Sequence, residues 1–354
     1  MEFNIALLPG DGIGPEVIAQ SVRLLKVIGK KEGVTFNLEE GLIGAAAIDE
    51  TGNPLPDDTI TICKRADAVL MGAVGHPKYD LDPGARVRPE QGLLKIRKSL
   101  GLFANIRPIV TYELLNRASP LKDHLVKGVD FVVYRELTGG IYFGEKGRSR
   151  DGTEAFDYCD YSVEEIKRIG KMAFEAAMTR RRRLTLVDKA NVLETSRLWR
   201  ETIQAMAKEY PGIELDFMFV DAAAMRIIQN PASFDVVLTE NMFGDILTDE
   251  ASVITGSIGM LPSASVGLST ALFEPIHGSF PEGAGKNIAN PFAAILSMGM
   301  MLGHLKLYRA ESRIKAAVHA AMEAGMVTSD ISPDKSCSTT RVGDWLEDYL
   351  AENY

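Results

Sequence analysis

The sequence predicts a two-domain α/β protein, and three observations carry that reading. The 354 residues exceed what one hydrophobic core usually organises. Short apolar strand-like runs alternate with amphipathic helical stripes along most of the chain. A glycine-rich turn joins the first strand to the first helix, yet its spacing is not that of a dinucleotide fingerprint. Gly10, Gly12 and Gly14 leave Pro15 where GxGxxG needs its last glycine, and no GxxxxGK[ST] occurs. A tight turn requiring positive φ accounts for those glycines by itself.

Taken in order, Asn4–Leu8 reads as a buried strand and Glu16–Lys31 as a helix with Pro15 at its first position. Ala66–Val74 is a second buried strand, ending in the loop GHPKYD. Arg97 ends a short helix, Phe103–Ile106 begins a strand carrying Arg107, and Asp130–Arg135 is a strand with an arginine at its end. Arginines at element ends suit bidentate carboxylate recognition, though each could equally be a solvated surface residue. Glu145–Tyr161 is polar and reads as either a hairpin arm or an exposed loop. Ser162–Met178 is helical, and the run Arg180–Arg183 reads as its solvated, charged end.

Leu184–Val187 is a strand delivering Asp188, Lys189 and Asn191, and Glu214–Val220 is another delivering Asp221. Val236–Leu238 leads through Glu240-Asn241 into a helix carrying Asp245 and Asp249. Four residues apart, those carboxylates share a helix face. The pair suits a hard divalent cation such as Mg²⁺; alternatively Asp245 caps the helix and Asp249 is a solvated neighbour. The Gly/Pro-dense segment after Val266 reads as a long shaped loop, neither helix nor strand, holding His277, Glu282 and Asn290. Pro291–Leu307 is a Met-rich core helix, Arg309–Ala324 an amphipathic one, and TTRVGDWLEDYL an edge strand running into a short helix.

Composition narrows the function classes. The chain is 46% apolar and 25% charged with a net charge of −9, which argues against nucleic-acid or anionic-membrane partners. Cys63, Cys159 and Cys337 are far apart and odd in number, with no CxxC or zinc spacing, as expected of reduced thiols in a cytoplasmic protein. The start MEFNIALLPG has no signal-peptide character, and no apolar stretch is long enough to span a bilayer.

Six segments in order resemble the isocitrate/isopropylmalate family of β-decarboxylating dehydrogenases. They are LLPGDGIGPEV at Leu7–Val17, EQGLLKIRKSLGLFANIRP at Glu90–Pro108, RELTGGIYFGE at Arg135–Glu145, VDKANVL at Val187–Leu193, NMFGDILTDEASVITGSIGMLPSAS at Asn241–Ser265, and EPIHGSFPEGAGKNIANP at Glu274–Pro291. The resemblance implies the family's two-domain fold, a large mixed sheet flanked by helices and not a GxGxxG Rossmann domain. Residues 1–101 with 254–354 would bind the cofactor. Residues 102–253 would hold substrate and metal and form a homodimer, with 145–161 as a possible intersubunit arm.

The implied reaction is the NAD-dependent oxidative decarboxylation of (2R,3S)-3-isopropylmalate to 4-methyl-2-oxopentanoate and CO₂ in leucine biosynthesis. Arg97, Arg107 and Arg135 would bind the substrate's carboxylates. Asp245 and Asp249, with Asp221 from a second subunit, would hold Mg²⁺ or Mn²⁺. Lys189, also from the second subunit, would be the general base beside Asp221, and Tyr142 would protonate the enol carbon. Leu93 and Leu94, with Val192 of the second subunit, would form an apolar wall for the isopropyl group. Glu90 would repel an extra carboxylate, although a methylene-scale preference is worth only about 1–3 kcal/mol. His277 and Asn290 would contact adenine, and Gly278 and Gly285 would admit the backbone close to the cofactor. Glu282 would favour NAD over NADP by meeting the adenosine ribose. NADP-using relatives carry Lys-Tyr at positions 282 and 283 and many isopropylmalate enzymes carry Asp-Ile; this chain has Glu282-Gly283. Two alternatives remain beside this reading: oxidation of D-malate, tartrate or (homo)isocitrate, and a noncatalytic regulatory subunit.

Overall fold

The computed structural model describes residues 1–82 and 84–354. Their contacts divide the chain into two compact units, Met1–Leu102 with Ser257–Tyr354, and Phe103–Gly256.

In the first unit five strands lie in the order Thr35–Glu40, Glu2–Gly10, Ala68–Ala73, Ala271–Pro275, Pro262–Val266. The first four are parallel, with Ile5 opposite Ala68 and Leu272 opposite Val69. The last pair is antiparallel, with Ala264 opposite Phe273. Every residue of Ala68–Ala73 is buried, as an apolar run covered on both faces must be. The helices Gly14–Glu32, Phe292–His304 and Thr339–Asn353 belong to this unit. Phe292–His304 is apolar almost all round and almost wholly buried, so its methionines are core packing as expected.

In the second unit the order is Ala104–Val110, Asp130–Glu136, Val236–Thr239, Arg183–Asp188, Glu214–Phe219. The first pair is antiparallel and the rest are parallel. One helix, Val163–Thr179, starts at a capping box in which Ser162 accepts from the Glu165 amide. Its Ile166, Ile169, Ala173 and Phe174 share a core with Trp199 and Ile203 of the helix Glu194–Met206 and with Leu184, Leu186, Val236 and Leu238 of the strands. Both units are therefore mixed α/β layers, the class the sequence predicts.

Four readings change or close. The segment after Val266 is not loop throughout: Ala271–Pro275 is a buried strand whose partner Pro262–Val266 supplies the missing hydrogen bonds. The C-terminal segment is one helix, Thr339–Asn353, started by Ser338 accepting from the Arg341 amide, with no edge strand. Arg180 is not a solvated helix end. It donates to Asp130 at 2.7 Å and to the fully buried Asp235 at 2.8 Å, and Arg183 already belongs to the next strand. Within Glu145–Tyr161, Lys146–Arg148 and Ala155–Asp157 pair as an antiparallel hairpin. Among the described residues no helix is long and apolar enough to cross a membrane.

Candidate active site and cofactor cavity

The second unit gathers its polar groups where strands end. Val236–Thr239 runs into the helix Asn241–Val253, whose N-cap is Glu240, accepting from the Phe243 amide at 2.7 Å. Asp245 is therefore not the cap. Its carboxylate accepts from Arg135 Nη1 at 2.5 Å on one oxygen and from the Tyr142 hydroxyl at 2.9 Å on the other. Arg135 is almost fully buried, and its Nε and Nη2 both donate to Asn241 Oδ1, at 3.0 and 2.8 Å. The helix can lie this close to the arginine because residue 244 is glycine: a Cβ there would come within 2.6 Å of Arg135 Cγ. Arg107 Nη1 donates to Thr248 at 2.6 Å and to Asp249 at 3.3 Å. Two arginines expected to hold substrate thus sit on the two carboxylates expected to hold metal.

A buried layer lies behind this cluster. The Tyr161 hydroxyl donates to Glu240 Oε2 and accepts from the Asn241 amide, each at 3.0 Å. Asn241 Nδ2 closes the layer by donating to Gly139 O at 3.1 Å. Burial pushes the Glu240 carboxyl above its ordinary value, against the pull of its hydrogen bonds and Arg135. Burial, then the bond to Asp245, likewise raises Tyr142 and keeps its proton on the phenol at neutral pH. Asn241, Tyr161, Glu240 and Thr248 were missed in the sequence. Only Asn241 left a signal there, one helical turn before Asp245 on the same face.

Lys189 follows the strand Arg183–Asp188 and its Nζ donates to Asp221 Oδ1 at 2.8 Å. Asp221 lies in the first turn of the helix Val220–Gln229, and the bond to Lys189 holds its carboxyl below the usual range. Val192 is exposed. Among the described residues no three acidic, His or Cys side chains of one chain converge as a metal set. Asp245 and Asp249 nevertheless offer hard oxygen donors one helical turn apart, with the Asp249 side chain 73% exposed. Half of a Mg²⁺ or Mn²⁺ site fits that geometry and chemistry.

In the first unit Glu90, Leu94 and Arg97 share a face of the helix Pro89–Ser99, with Leu93 half-buried beside them. Arg97 donates to Glu274 at 3.1 Å, both side chains mostly buried. Glu274 stands on Ala271–Pro275, the strand read as loop. Burial and the neighbouring Asp80 raise the Glu90 carboxyl.

The glycine-rich turn is occupied internally. Gly10 and Gly12 adopt φ of +72° and +57°. Asp11 accepts from the amides of Ala45 and Ala46, in the first turn of the helix Gly44–Thr51, and from that of Gly75, at 2.8–2.9 Å, so the turn's own carboxylate is spent on structure within the unit. The Ile13 amide donates to Ser279 O at 2.8 Å, tying the turn to the 276–290 loop. Between them lies a cavity of about 480 Å³, lined by Ile13, Ile258, His277, Phe280, Asn290 and Asp330 among others. His277 Nδ1 meets Gly278 O at 2.9 Å, and since a carbonyl only accepts, Nδ1 carries the proton. Nε2 is then a buried acceptor without a partner, in a ring that burial holds neutral. An unpaired buried acceptor in an apolar cavity fits a ligand with an N–H donor, as an adenine offers.

Gly278 also lines this cavity, whereas Glu282 and Gly285 lie on the same loop outside its lining. The Gly285 amide bonds to Glu16. Asn290 is already committed, donating to Asp330 at 2.9 Å and accepting from the Phe292 amide at 2.9 Å. Asp330, Phe280, Ile13 and Ile258 were not read as site residues from sequence.

A family model described as isocitrate/isopropylmalate dehydrogenase matches residues 4–346. The chain is 53% identical over 352 residues to a 3-isopropylmalate dehydrogenase of Bacteroides fragilis, covering 99% of each. It is 54% identical over 336 residues to that of Geobacillus kaustophilus, covering 94% of this chain and 90% of the relative. Among solved structures, isocitrate dehydrogenase from Methylococcus capsulatus superposes with a TM-score of 0.88 at 34% identity, covering 99% of each chain. A β-decarboxylating dehydrogenase from Thermococcus kodakarensis gives 0.82 at 37% identity, covering 99% of this chain and 96% of that one. With this likeness over nearly its whole length, the chain belongs to the isocitrate/isopropylmalate dehydrogenase family.

Proposed function

We propose that the protein is an NAD-dependent, metal-dependent oxidoreductase that converts (2R,3S)-3-isopropylmalate to 4-methyl-2-oxopentanoate and CO₂ in leucine biosynthesis. The single observation that carries the reading is the Arg135–Asp245–Tyr142 cluster, in which a carboxylate-binding cation, a metal-type ligand and a proton donor are hydrogen-bonded together. Identities of 53% to a 3-isopropylmalate enzyme against 34% to an isocitrate enzyme favour the isopropyl substrate. So do the apolar Leu93 and Leu94 beside Glu90, which repels a third carboxylate.

In the proposed mechanism Arg107 and Arg135, with Arg97, hold the substrate's carboxylates and fix the bond to be broken. Asp245 and Asp249, with Asp221 of a second copy, would hold Mg²⁺ or Mn²⁺, which would supply Lewis-acid stabilisation of oxygen charge, and the cavity would hold NAD, which would supply the hydride acceptor. Lys189 takes the hydroxyl proton as the C2 hydride leaves. The bond between C3 and its carboxylate then breaks, and Tyr142 gives its phenolic proton to C3 after CO₂ departs. His277 and Asn290 serve the adenine, Gly278 and Gly285 admit the loop backbone close to the cofactor, and Glu282 faces the adenosine ribose.

The proposed assembly is a homodimer with shared sites. Met225, Ile228, Ile246 and Val253 are exposed apolar side chains on the helices Val220–Gln229 and Asn241–Val253, a surface that suits a second copy. Incubating the protein with 3-isopropylmalate, NAD⁺ and Mn²⁺ should release NADH, CO₂ and 4-methyl-2-oxopentanoate in equal amounts. NADH without CO₂ would sink the decarboxylation. Mixing inactive Lys189→Ala and Asp245→Asn subunits should restore activity; no recovery after subunit exchange counts against shared sites.

A further inference from the structure

The 276–290 loop contains a residue whose conformation its side-chain type disfavours. Phe280 adopts φ +39° and ψ 64°, in the left-handed region that a bulky aromatic residue rarely occupies. Two hydrogen bonds hold it there, Gly283 N to Phe280 O at 2.9 Å and Ile13 N to Ser279 O at 2.8 Å. The ring is not hidden in the core. It is 48% exposed and lines the cavity with Ile13, Ile258 and His277. Its other side covers Gly283: a Cβ on that residue would fall inside the contact distance of Phe280 Cδ1 and Cε1. Gly283 is buried and has negative φ, so its backbone does not require glycine; the ring does. Backbone strain that keeps an aromatic face at the wall of an apolar cavity is the kind of strain that accompanies ligand binding.

We propose that Phe280 is a cofactor-binding residue that presents an aromatic face to the adenine end of the cofactor. Gly283 is its obligate companion, because the Phe280 ring occupies the space a side chain at 283 would need. The apolar contact that an isoleucine at 283 would supply is provided here by residue 280. This rests on the reading that the cavity takes the adenosine end of NAD. An aromatic ring, isoleucines and the unpaired His277 acceptor lining one cavity suit a planar amino-substituted heterocycle.

The test is calorimetric binding of NAD⁺ and of AMP to the wild type, Phe280→Ala, Phe280→Tyr, Gly283→Ile and the double variant Phe280→Ala/Gly283→Ile. Phe280→Ala should weaken both probes by roughly tenfold, in line with the loss of one base-stacking partner. Phe280→Tyr, which keeps the face, should bind like the wild type. Gly283→Ile alone should also weaken both probes by displacing the ring, and the double variant should bind more tightly than Gly283→Ile alone, the non-additivity expected of two side chains that compete for one space. Wild-type affinity in Phe280→Ala, or simple additivity in the double variant, overturns the inference while leaving the cavity assignment standing. A wild type that binds neither NAD⁺ nor AMP overturns the cavity assignment and the inference together.

Discussion

Replacing Asn241 with alanine tests whether Arg135, the arginine proposed to bind substrate, is held by the layer behind it. Asn241 is buried, and its Oδ1 is the shared acceptor for two guanidinium N–H groups of the equally buried Arg135. Each hydrogen bond to a charged group is worth about 1.5–3 kcal/mol, and breaking a buried charged network typically costs about 3–5 kcal/mol. The variant should therefore lose about 3–5 kcal/mol of stability, read as a lower urea midpoint at unchanged slope. Arg135 keeps Asp245 at 2.5 Å but loses its orientation, so KM for the substrate should rise roughly tenfold or more, a difference of about 1.4 kcal/mol. KM for NAD⁺, whose proposed cavity lies in the other unit, should stay near wild type. An unchanged urea midpoint together with an unchanged substrate KM would refute the claim that Asn241 positions Arg135.

Three further outcomes follow from the same geometry. Asp245→Asn should reduce Mn²⁺-dependent turnover by at least about a hundredfold, 2.7 kcal/mol in barrier, with an unchanged circular dichroism spectrum; full activity would remove Asp245 from the site. Glu282→Lys should raise the kcat/KM ratio of NADP⁺ to NAD⁺ by about tenfold; no change in that ratio would acquit Glu282 as discriminator. Adding Gly283→Tyr to it should weaken both cofactors, because that side chain meets the Phe280 ring. Glu240→Gln tests pH dependence. A carboxyl raised in the folded state binds its proton more tightly there than when unfolded, so its favourable contribution is present at low pH. That contribution is lost as pH rises from the ordinary glutamate value of 4.5 through the raised folded value. The stability of Glu240→Gln relative to wild type should therefore grow across that window and level off above it; a difference independent of pH would mean Glu240 does not titrate as its burial implies.

The layered α/β class, the helix from Glu16, and the strands that deliver Arg135 and Lys189 at their ends were legible because each rests on local apolar pattern, whereas Arg107, read near an element end, stands in the middle of Ala104–Val110. So was the Asp245/Asp249 pair, set by helical spacing alone. What escaped was set by distant partners. Ala271–Pro275 is only five residues long amid glycines and prolines, and becomes a strand because Pro262–Val266 and Ala68–Ala73 flank it. Its Glu274 then anchors Arg97, a link of 177 positions invisible to any local window. Arg180 looked like a solvated helix end because its partners Asp130 and Asp235 lie some fifty residues away. Asp330 joins the cavity by a hydrogen bond from Asn290, forty positions earlier. The turn at Gly10–Pro15 lacks the spacing of a phosphate loop, but only the structure shows that its Asp11 is spent on the amides of Ala45, Ala46 and Gly75, more than thirty positions away.

The most direct test of substrate assignment compares kcat/KM for 3-isopropylmalate, D-malate and isocitrate under one condition, with NAD⁺ and Mn²⁺. The apolar Leu93 and Leu94 beside Glu90 predict the largest value for 3-isopropylmalate, with isocitrate lowest. A larger kcat/KM for isocitrate or D-malate would contradict the account.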